Sequence, residues 1–320
     1  MSPEGSATAY APATVGNVIC GFDVFGLALD HPGDRVTVRR SDRPGLRITG
    51  IDGDSGKLPT DATRNSATVA IAALLRAAGR SDGLEVAIAK GLPLSGGMGG
   101  SAASSVAGAV AADSLLGTGF SQEALLEFAL AGEGMAAGSA HLDNVAPALY
   151  GGLLLVRPSG RPRVVRLPVP KGLSVALLHP AVELSTKEGR RALGTSVPLP
   201  EAVAQWGNTA AFVHALHTGD WDLLQDALVD RVAEPHRKGF IPGFDGVRSA
   251  ALAAGALACG ISGAGPSLVA FTRDEERAKT VGEAMISAYR SMAGPSAKLY
   301  LCAVATAGAR ITSSDVRQVP

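Results

Sequence analysis

Residues 93–101 read Pro-Leu-Ser-Gly-Gly-Met-Gly-Gly-Ser, with strand-like sequence before them and alanine-rich sequence after. Glycine lets consecutive peptide N–H groups turn into one concavity, because no Cβ blocks the positive-φ conformations that such a curve requires. A helix starting at Ser101 adds unpaired N–H donors and roughly half a positive charge at its N-terminus. The chemistry this suits is the holding of a phosphate. Ser101 either caps the helix or sets its hydroxyl on a phosphate-bound Mg²⁺. Residue types alone also allow a plain glycine-rich turn with Ser101 as its cap. Neither GxxxxGK[ST] nor GxGxxG occurs, so the usual P-loop and dinucleotide-binding folds are not supported.

The elements that must position this loop follow from periodicity. Residues 24–51 alternate apolar and polar in short runs and predict paired strands. Residues 66–79 carry apolar residues at helical spacing and end at Gly79, a fitting C-cap. Leu84–Lys90 alternates again as a strand, Ala102–Leu116 predicts a helix of small residues, and Gln122–Glu133 another. Four prolines between Arg157 and Pro170 mark a composition shift. The boundary expected there divides residues 1–160 from 161–320. Beyond it, helical patterns fall at 200–217, 220–231, 245–254 and 274–291, a glycine-rich strand–turn–strand at Ala256–Phe271, and a strand at Lys298–Ala305. Strands and helices mix without a regular βαβ period, which predicts an α+β chain.

Bulk properties exclude several function classes. Twenty-nine basic residues balance 29 acidic ones, so no global field draws the protein to nucleic acid or to an anionic membrane. No apolar stretch approaches the ~18–20 residues needed to span a bilayer. Cys20, Cys259 and Cys302 are widely separated with no CxxC pair, as expected of reduced thiols. With no signal-peptide pattern at the N-terminus, the chain is expected to be cytoplasmic.

Three ordered motifs resemble the GHMP kinase superfamily, and within it the homoserine kinase family, over nearly the whole chain. The central one runs from Pro93 through Gly97-Met98-Gly99-Gly100-Ser101-Ala102-Ala103-Ser104 and is similar to the family's GLGSSAA loop. The first is Ala11-Pro12-Ala13-Thr14-Val15-Gly16-Asn17 followed by Gly21-Phe22-Asp23-Val24-Phe25-Gly26-Leu27-Ala28, and the last is Gly260-Ile261-Ser262-Gly263-Ala264-Gly265-Pro266-Ser267. Two departures stand out: Gly100 replaces the first serine of the loop, and Gly16 replaces a small residue that is usually alanine. Both replacements are expected to be tolerated.

The resemblance implies a two-domain α+β GHMP kinase fold, with a ribosomal-protein-like α/β N-terminal domain and a ferredoxin-like α+β C-terminal domain. It further implies ATP and Mg²⁺ as cofactors, L-homoserine as acceptor and a homodimer. ATP-binding positions would be Pro93, Leu94, Ser95, Gly96, Gly97, Met98, Gly99, Gly100, Ser101, Ala102 and Ala103, with Asn65 near the adenine. Ser101 and Glu133 would hold the metal. Asn17, Asp23, His141, Asn144, Thr186, Arg190 and Arg237 would bind substrate, and the catalytic set would be Asn144, Glu133 and Ser101.

The residue types agree with those roles. Phosphoryl transfer is mainly positioning and electrostatics. A zwitterionic amino acid wants guanidinium on its carboxylate, which Arg190 and Arg237 supply, and oxygen on its ammonium, from Asp23 and Asn17. No residue stands out as a strong general base, so a base-free mechanism with Asn144 orienting the hydroxyl is expected. Two alternatives stay open at this level. One is another GHMP kinase acting on mevalonate, a diphosphocytidyl-methylerythritol, shikimate or a sugar; the other is a ligand sensor of the same fold without turnover.

Overall fold

The computed structural model describes residues 5–159, 163–182, 184, 186–292, 294 and 296–315. The first half runs β1 (Ser6–Gly16), β2 (Phe25–Arg40), β3 (Leu46–Asp52), α1 (Ser66–Ala77), β4 (Leu84–Ala89), α2 (Gly100–Leu116), α3 (Gln122–Ala137), α4 (Leu142–Tyr150) and β5 (Leu153–Val156). After it come β6 (Val164–Leu167), β7 (Ser174–Pro180), α5 (Thr186–Arg191), α6 (Leu199–Thr218), α7 (Trp221–Ala227), α8 (Glu234–Arg237) and α9 (Phe244–Ala253). The chain ends with β8 (Ala258–Ile261), β9 (Leu268–Thr272), α10 (Glu275–Met292), β10 (Ala297–Ala303) and β11 (Arg310–Asp315).

Two sheets result. The larger is ordered β11-β1-β2-β4-β3, with β5 paired to the first residues of β2 (Phe25–Leu27) and β6 outside it; only β3–β4 is parallel. The smaller is antiparallel, ordered β10-β7-β9-β8. β6 and β11 lie beyond residue 160 yet hydrogen-bond into the first sheet. A division at 160/161 is a proposal about folding units, not a cut between the sheets.

Small residues decide how closely the layers approach. On β1, Ala7, Ala9, Ala11, Ala13 and Val15 are fully buried. The α2 helix buries residues all round its circumference, as a helix apolar on every face must. Its neighbours nearly touch its backbone: a Cβ at Gly108 would come within 2.8 Å of Ala67 O, and one at Gly132 within 2.0 Å of Ser105 Oγ. Around β7, β8 and β9, a second cluster of Leu178, Phe244, Val247, Leu268, Val281 and Met285 packs against α9 and α10. Phe25 of β2 meets Phe212 of α6 with ring centroids 4.9 Å apart, so a helix of the second half closes over the first.

The predicted helices and strands recur with shifted ends. α3 runs on to Ala137, which brings Glu133 inside the helix, and the helix expected at 220–231 ends at Ala227. Beyond that end the Asp230 carboxylate accepts from the amides of Val232, Ala233 and Glu234, and so starts α8. Strand β1 and helix α4 were not expected from periodicity. Among the described residues no helix is long and apolar enough to cross a membrane. The three cysteines are free and buried.

Gly26 on β2 is where α4 comes closest, since a Cβ there would lie 1.9 Å from Asp143 O. Gly26→Ala should therefore cost about 1–3 kcal/mol of stability by overpacking. Urea unfolding should show a lower midpoint with an unchanged slope.

Candidate active site

The glycine loop lies between β4 and α2 and folds as its composition requires. Gly97 and Gly99 both have φ of 68°, and Ser95 has φ of 51°. Gly99 is the N-cap of α2 and no side chain caps the helix. The amides from Gly97 to Ala102 have no protein partner among the described residues. A run of free N–H groups at the start of a 17-residue helix is an anion site by construction. A Cβ at Gly97 would come 2.4 Å from Ser262 O, and one at Gly99 would come 2.0 Å from Thr14 Oγ1. These two glycines are required by space as well as by φ. Gly100 is not: a Cβ there meets nothing nearer than Lys90 Nζ at 3.5 Å, so the serine of the family pattern would fit.

Beneath the loop lies a buried ion pair that motif reading missed. Lys90 and Asp34 have side chains 3% and 0% exposed and form a salt bridge. Lys90 Nζ also donates to Gly100 O and Ser104 Oγ, both at 2.9 Å, and Ser104 Oγ donates to Asp34 Oδ2 at 2.7 Å. Asp34 Oδ1 accepts from the amides of Gly91 and Leu92 at 3.0 and 3.1 Å. The pair thus holds the entry of the loop and the first turn of α2 together. Strand alternation placed Arg35 to Arg39 but carried no signal that Asp34, one residue earlier, would face inward toward a lysine 56 positions away.

Glu133 sits on α3, 3% exposed, and its Oε2 has no hydrogen-bond partner. Burial pushes its pKa up to about 7, against a hydrogen bond from Ser101 and the field of Lys90, which pull it down. A buried carboxylate oxygen without a donor, beside a hydroxyl at a helix N-terminus, fits a hard divalent cation such as Mg²⁺. Ser101 and Glu133 are therefore brought together as the sequence led one to expect.

Beside Gly99 at the start of α2, α4 delivers a second polar cluster. Asn144 is oriented on both sides: Thr14 Oγ1 donates to its Oδ1 at 2.7 Å, and its Nδ2 donates to Asp143 Oδ1 at 3.3 Å. Asp143 is 3% exposed and also accepts from the Asn17 amide at 3.2 Å. Burial first, then the nearby Asp23, raises the Asp143 pKa to about 7. Ligand atoms of Asp23, His141 and Asp143 all lie within 4.8 Å of one another. His141 Nε2 is 3.0 Å from Ser139 Oγ, and burial lowers the His141 pKa, which keeps the ring neutral at pH 7. Asp143 was not singled out from the sequence; its place in the first turn of α4, next to Asn144, is the signal that was available.

The β1–β2 connection closes this cluster. Asn17, Val18 and Ile19 are all left-handed, with φ of 69°, 46° and 59°, which is costly for the β-branched pair. Asn17 spends its side chain on holding the turn: Oδ1 accepts from Asp23 N at 2.9 Å and Nδ2 donates to Gly263 O at 2.8 Å. Gly16, where the family pattern has alanine, is packed so that a Cβ would come 2.6 Å from both Asn144 Nδ2 and Asp143 Oδ2. Arg190 and Arg237 both lie over the Phe22 ring, with Cζ atoms 5.3 and 5.5 Å from its centroid. Arg190 Nη1 donates to Asp23 Oδ2 at 2.7 Å, while the buried Arg237 donates to Gly189 O and Gly263 O. Thr186 opens α5, but its side chain lies outside the described residues. Asn65 is buried and caps α1: Oδ1 accepts from Ala67 N at 3.1 Å and Nδ2 donates to Pro59 O at 3.2 Å.

One pattern in the chain proves unrelated to the site. Gly79-Arg80-Ser81-Asp82-Gly83 spells GxSxG, but it joins helix α1 to strand β4, the reverse of a strand-to-helix nucleophile elbow. Arg80 there is engaged with Asp82.

A glycine loop of free amides opening a buried helix, in a chain of two sheets, is the architecture of a two-domain α+β small-molecule kinase. Residues 65–152 match the GHMP kinases N terminal domain and residues 212–291 the GHMP kinases C terminal domain. The chain is 43% identical to homoserine kinase of Chlorobaculum tepidum, over 97% of this chain and 99% of that one. It is 44% identical to homoserine kinase of Xanthomonas campestris pv. campestris, over 88% and 87%. The crystal structure of homoserine kinase from Cytophaga hutchinsonii superposes with a TM-score of 0.92 at 46% identity, covering 97% of this chain and 98% of that one. The chain belongs to the homoserine kinase family of GHMP kinases.

Glu133 yields a pH-dependent stability. Its folded pKa of about 7 lies above the ordinary 4.5, so the metal-free protein is destabilised as pH rises from 4.5 through 7. Glu133→Gln removes that cost. Without Mg²⁺, the variant should exceed the parent by up to about 3 kcal/mol at pH 8 and by almost nothing at pH 4.5. Thermal melts at both pH values should show this, and added Mg²⁺ at pH 8 should raise the melting temperature of the parent alone.

Proposed function

We propose that this protein transfers the γ-phosphoryl group of ATP to the side-chain hydroxyl of L-homoserine, giving O-phospho-L-homoserine on the way to threonine. The observation that carries the reading is the row of amides from Gly97 to Ala102, with Glu133 Oε2 beside it, all without a partner among the described residues. The loop from Pro93 to Ala103 takes the phosphates, and Asn65, at the head of α1, lies toward the adenine. Ser101 and Glu133 hold Mg²⁺, which supplies positive charge to the phosphate oxygens when bound.

The second pocket suits a zwitterion. Arg190, Arg237 and Thr186 take the carboxylate, and Asp23, His141 and Asn17 surround the ammonium. Asp143 adds a buried carboxylate beside the part-exposed Asp23, which compensates the ammonium's loss of water. Phe22 stacks both guanidiniums and so limits how far they can turn. An uncharged polyol would leave two arginines without the anion for which they are arranged.

Asn144 is placed to orient the acceptor. Its Oδ1 already accepts from Thr14 and one Nδ2 hydrogen goes to Asp143, so the remaining Nδ2 hydrogen is a donor only. A donor cannot serve as a base. Held by that N–H, the hydroxyl oxygen is aimed in line at the phosphorus, and its proton leaves to a phosphate oxygen.

We extend the proposal to a cytoplasmic homodimer. Leu199, Val203 and Trp206 of α6 are 68%, 54% and 63% exposed and share one face with Gly207 and Ala210. Spacing of four and three residues is the seam of a helix that packs on another helix. The stripe carries no charge, so two copies meet without repulsion.

ADP release should be measured against homoserine, mevalonate, shikimate and galactose. The expected outcome is Mg²⁺-dependent turnover with homoserine alone; turnover with mevalonate, shikimate or galactose and none with homoserine would refute the assignment. Light scattering should give twice the chain mass, and Trp206→Glu should give the monomer mass.

A further inference from the structure

The turn from Ser262 to Ser267, between β8 and β9, has no task in the chemistry assigned above, yet it touches both halves of the site. Ser262 Oγ donates to Gly97 O at 2.7 Å, and Ser267 Oγ donates to Gly96 O. Both serines are fully buried. His179 of β7 stands behind the second, with Nδ1 3.0 Å from Ser267 Oγ. Because the serine hydrogen is used on Gly96 O, Nδ1 carries the proton and donates to the serine. Toward the other pocket, Gly263 N donates to Gly16 O at 3.1 Å. Gly263 O accepts from Asn17 Nδ2 at 2.8 Å and from Arg237 Nη1 at 3.2 Å.

A trans peptide points its C=O and N–H in opposite directions. A hydroxyl that draws the Gly96 carbonyl toward β9 therefore turns the Gly97 N–H the other way. The hydroxyl on the Gly97 carbonyl does the same for the Met98 N–H. These two amides begin the unpartnered row that leads into α2. Glycine peptides rotate with little steric resistance, so without the two hydroxyls nothing in the loop's own sequence selects this orientation.

We propose that Ser262 and Ser267 are positioning residues that hold two loop peptides with their N–H groups toward the nucleotide. Through the Gly263 peptide, they also tie that orientation to Asn17 and Arg237 of the acceptor pocket. Neither serine touches substrate. The proposal rests on the reading of the loop as the ATP cradle and adds what aligns it.

Titration calorimetry with a non-hydrolysable ATP analogue plus Mg²⁺, and separately with homoserine, tests it on the full chain. Ser262→Ala and Ser267→Ala should each weaken analogue binding about tenfold, the scale of one buried hydrogen bond. Homoserine binding to the nucleotide-free variants should stay within about twofold of the parent, while the tightening of homoserine by the analogue is lost. Cysteine at either position keeps the volume but donates weakly, and should give an intermediate loss. Equal analogue affinity in parent and variants overturns the proposal. So does a parallel loss of both ligands together with a large fall in melting temperature, the mark of a merely structural role. If the parent itself binds no analogue, the kinase reading falls too, which separates the two failures.

Discussion

A row of backbone N–H groups left without protein partners is the constraint around which this molecule is built. Proteins ordinarily satisfy such donors with a capping side chain. Here the N-cap is Gly99, which has none, and the loop carbonyls are drawn elsewhere: Gly96 and Gly97 to serines, Met98 to Thr14 N, Gly100 to Lys90. Each fixed carbonyl leaves the next amide free to face a ligand. The burial of α2 on all sides keeps the helix end in place, so its dipole acts at one fixed spot.

Three buried carboxylates show how partners decide a charge. Asp34 is fully enclosed, yet it has a lysine, a serine and two amides as donors, and the charge is compensated where it stands. Glu133 and Asp143 are as deeply buried with fewer donors, and burial drives both pKa values to about 7. An under-satisfied buried acid is costly and suited to a cation. The two acids are near enough that the Glu133 charge helps to raise the Asp143 pKa.

The pocket proposed for the acceptor depends on backbone that the first sheet could not hold alone. The left-handed run at Asn17, Val18 and Ile19 stores about 1–3 kcal/mol per residue. It is secured from the second half of the chain: Gln205 Nε2 and Thr209 Oγ1 of α6 both donate to Cys20 O, and Gly263 O receives Asn17. The two halves therefore meet at strained backbone, where small motions would change the site most. Arg237, also from the second half, completes the pocket.

Much of this was legible in the residues themselves. The glycine loop, its helix and the last glycine turn can be read from letters because positive φ and close approach admit few residues other than glycine. Strands β2, β4 and β9 and helices α1, α6 and α10 follow from apolar spacing. Strand β1 escaped because its alanines and Pro12 have little strand preference, and α4 because it is short and contains Pro147. What the sequence could not show is who faces whom. The pairing of β1 with β11, the Asp34–Lys90 bond, the serine hold on Gly96 and Gly97, and the orphaning of Glu133 all join residues far apart in the chain. Local periodicity records which face of an element is apolar; proximity, burial and a missing partner exist only once the layers have packed.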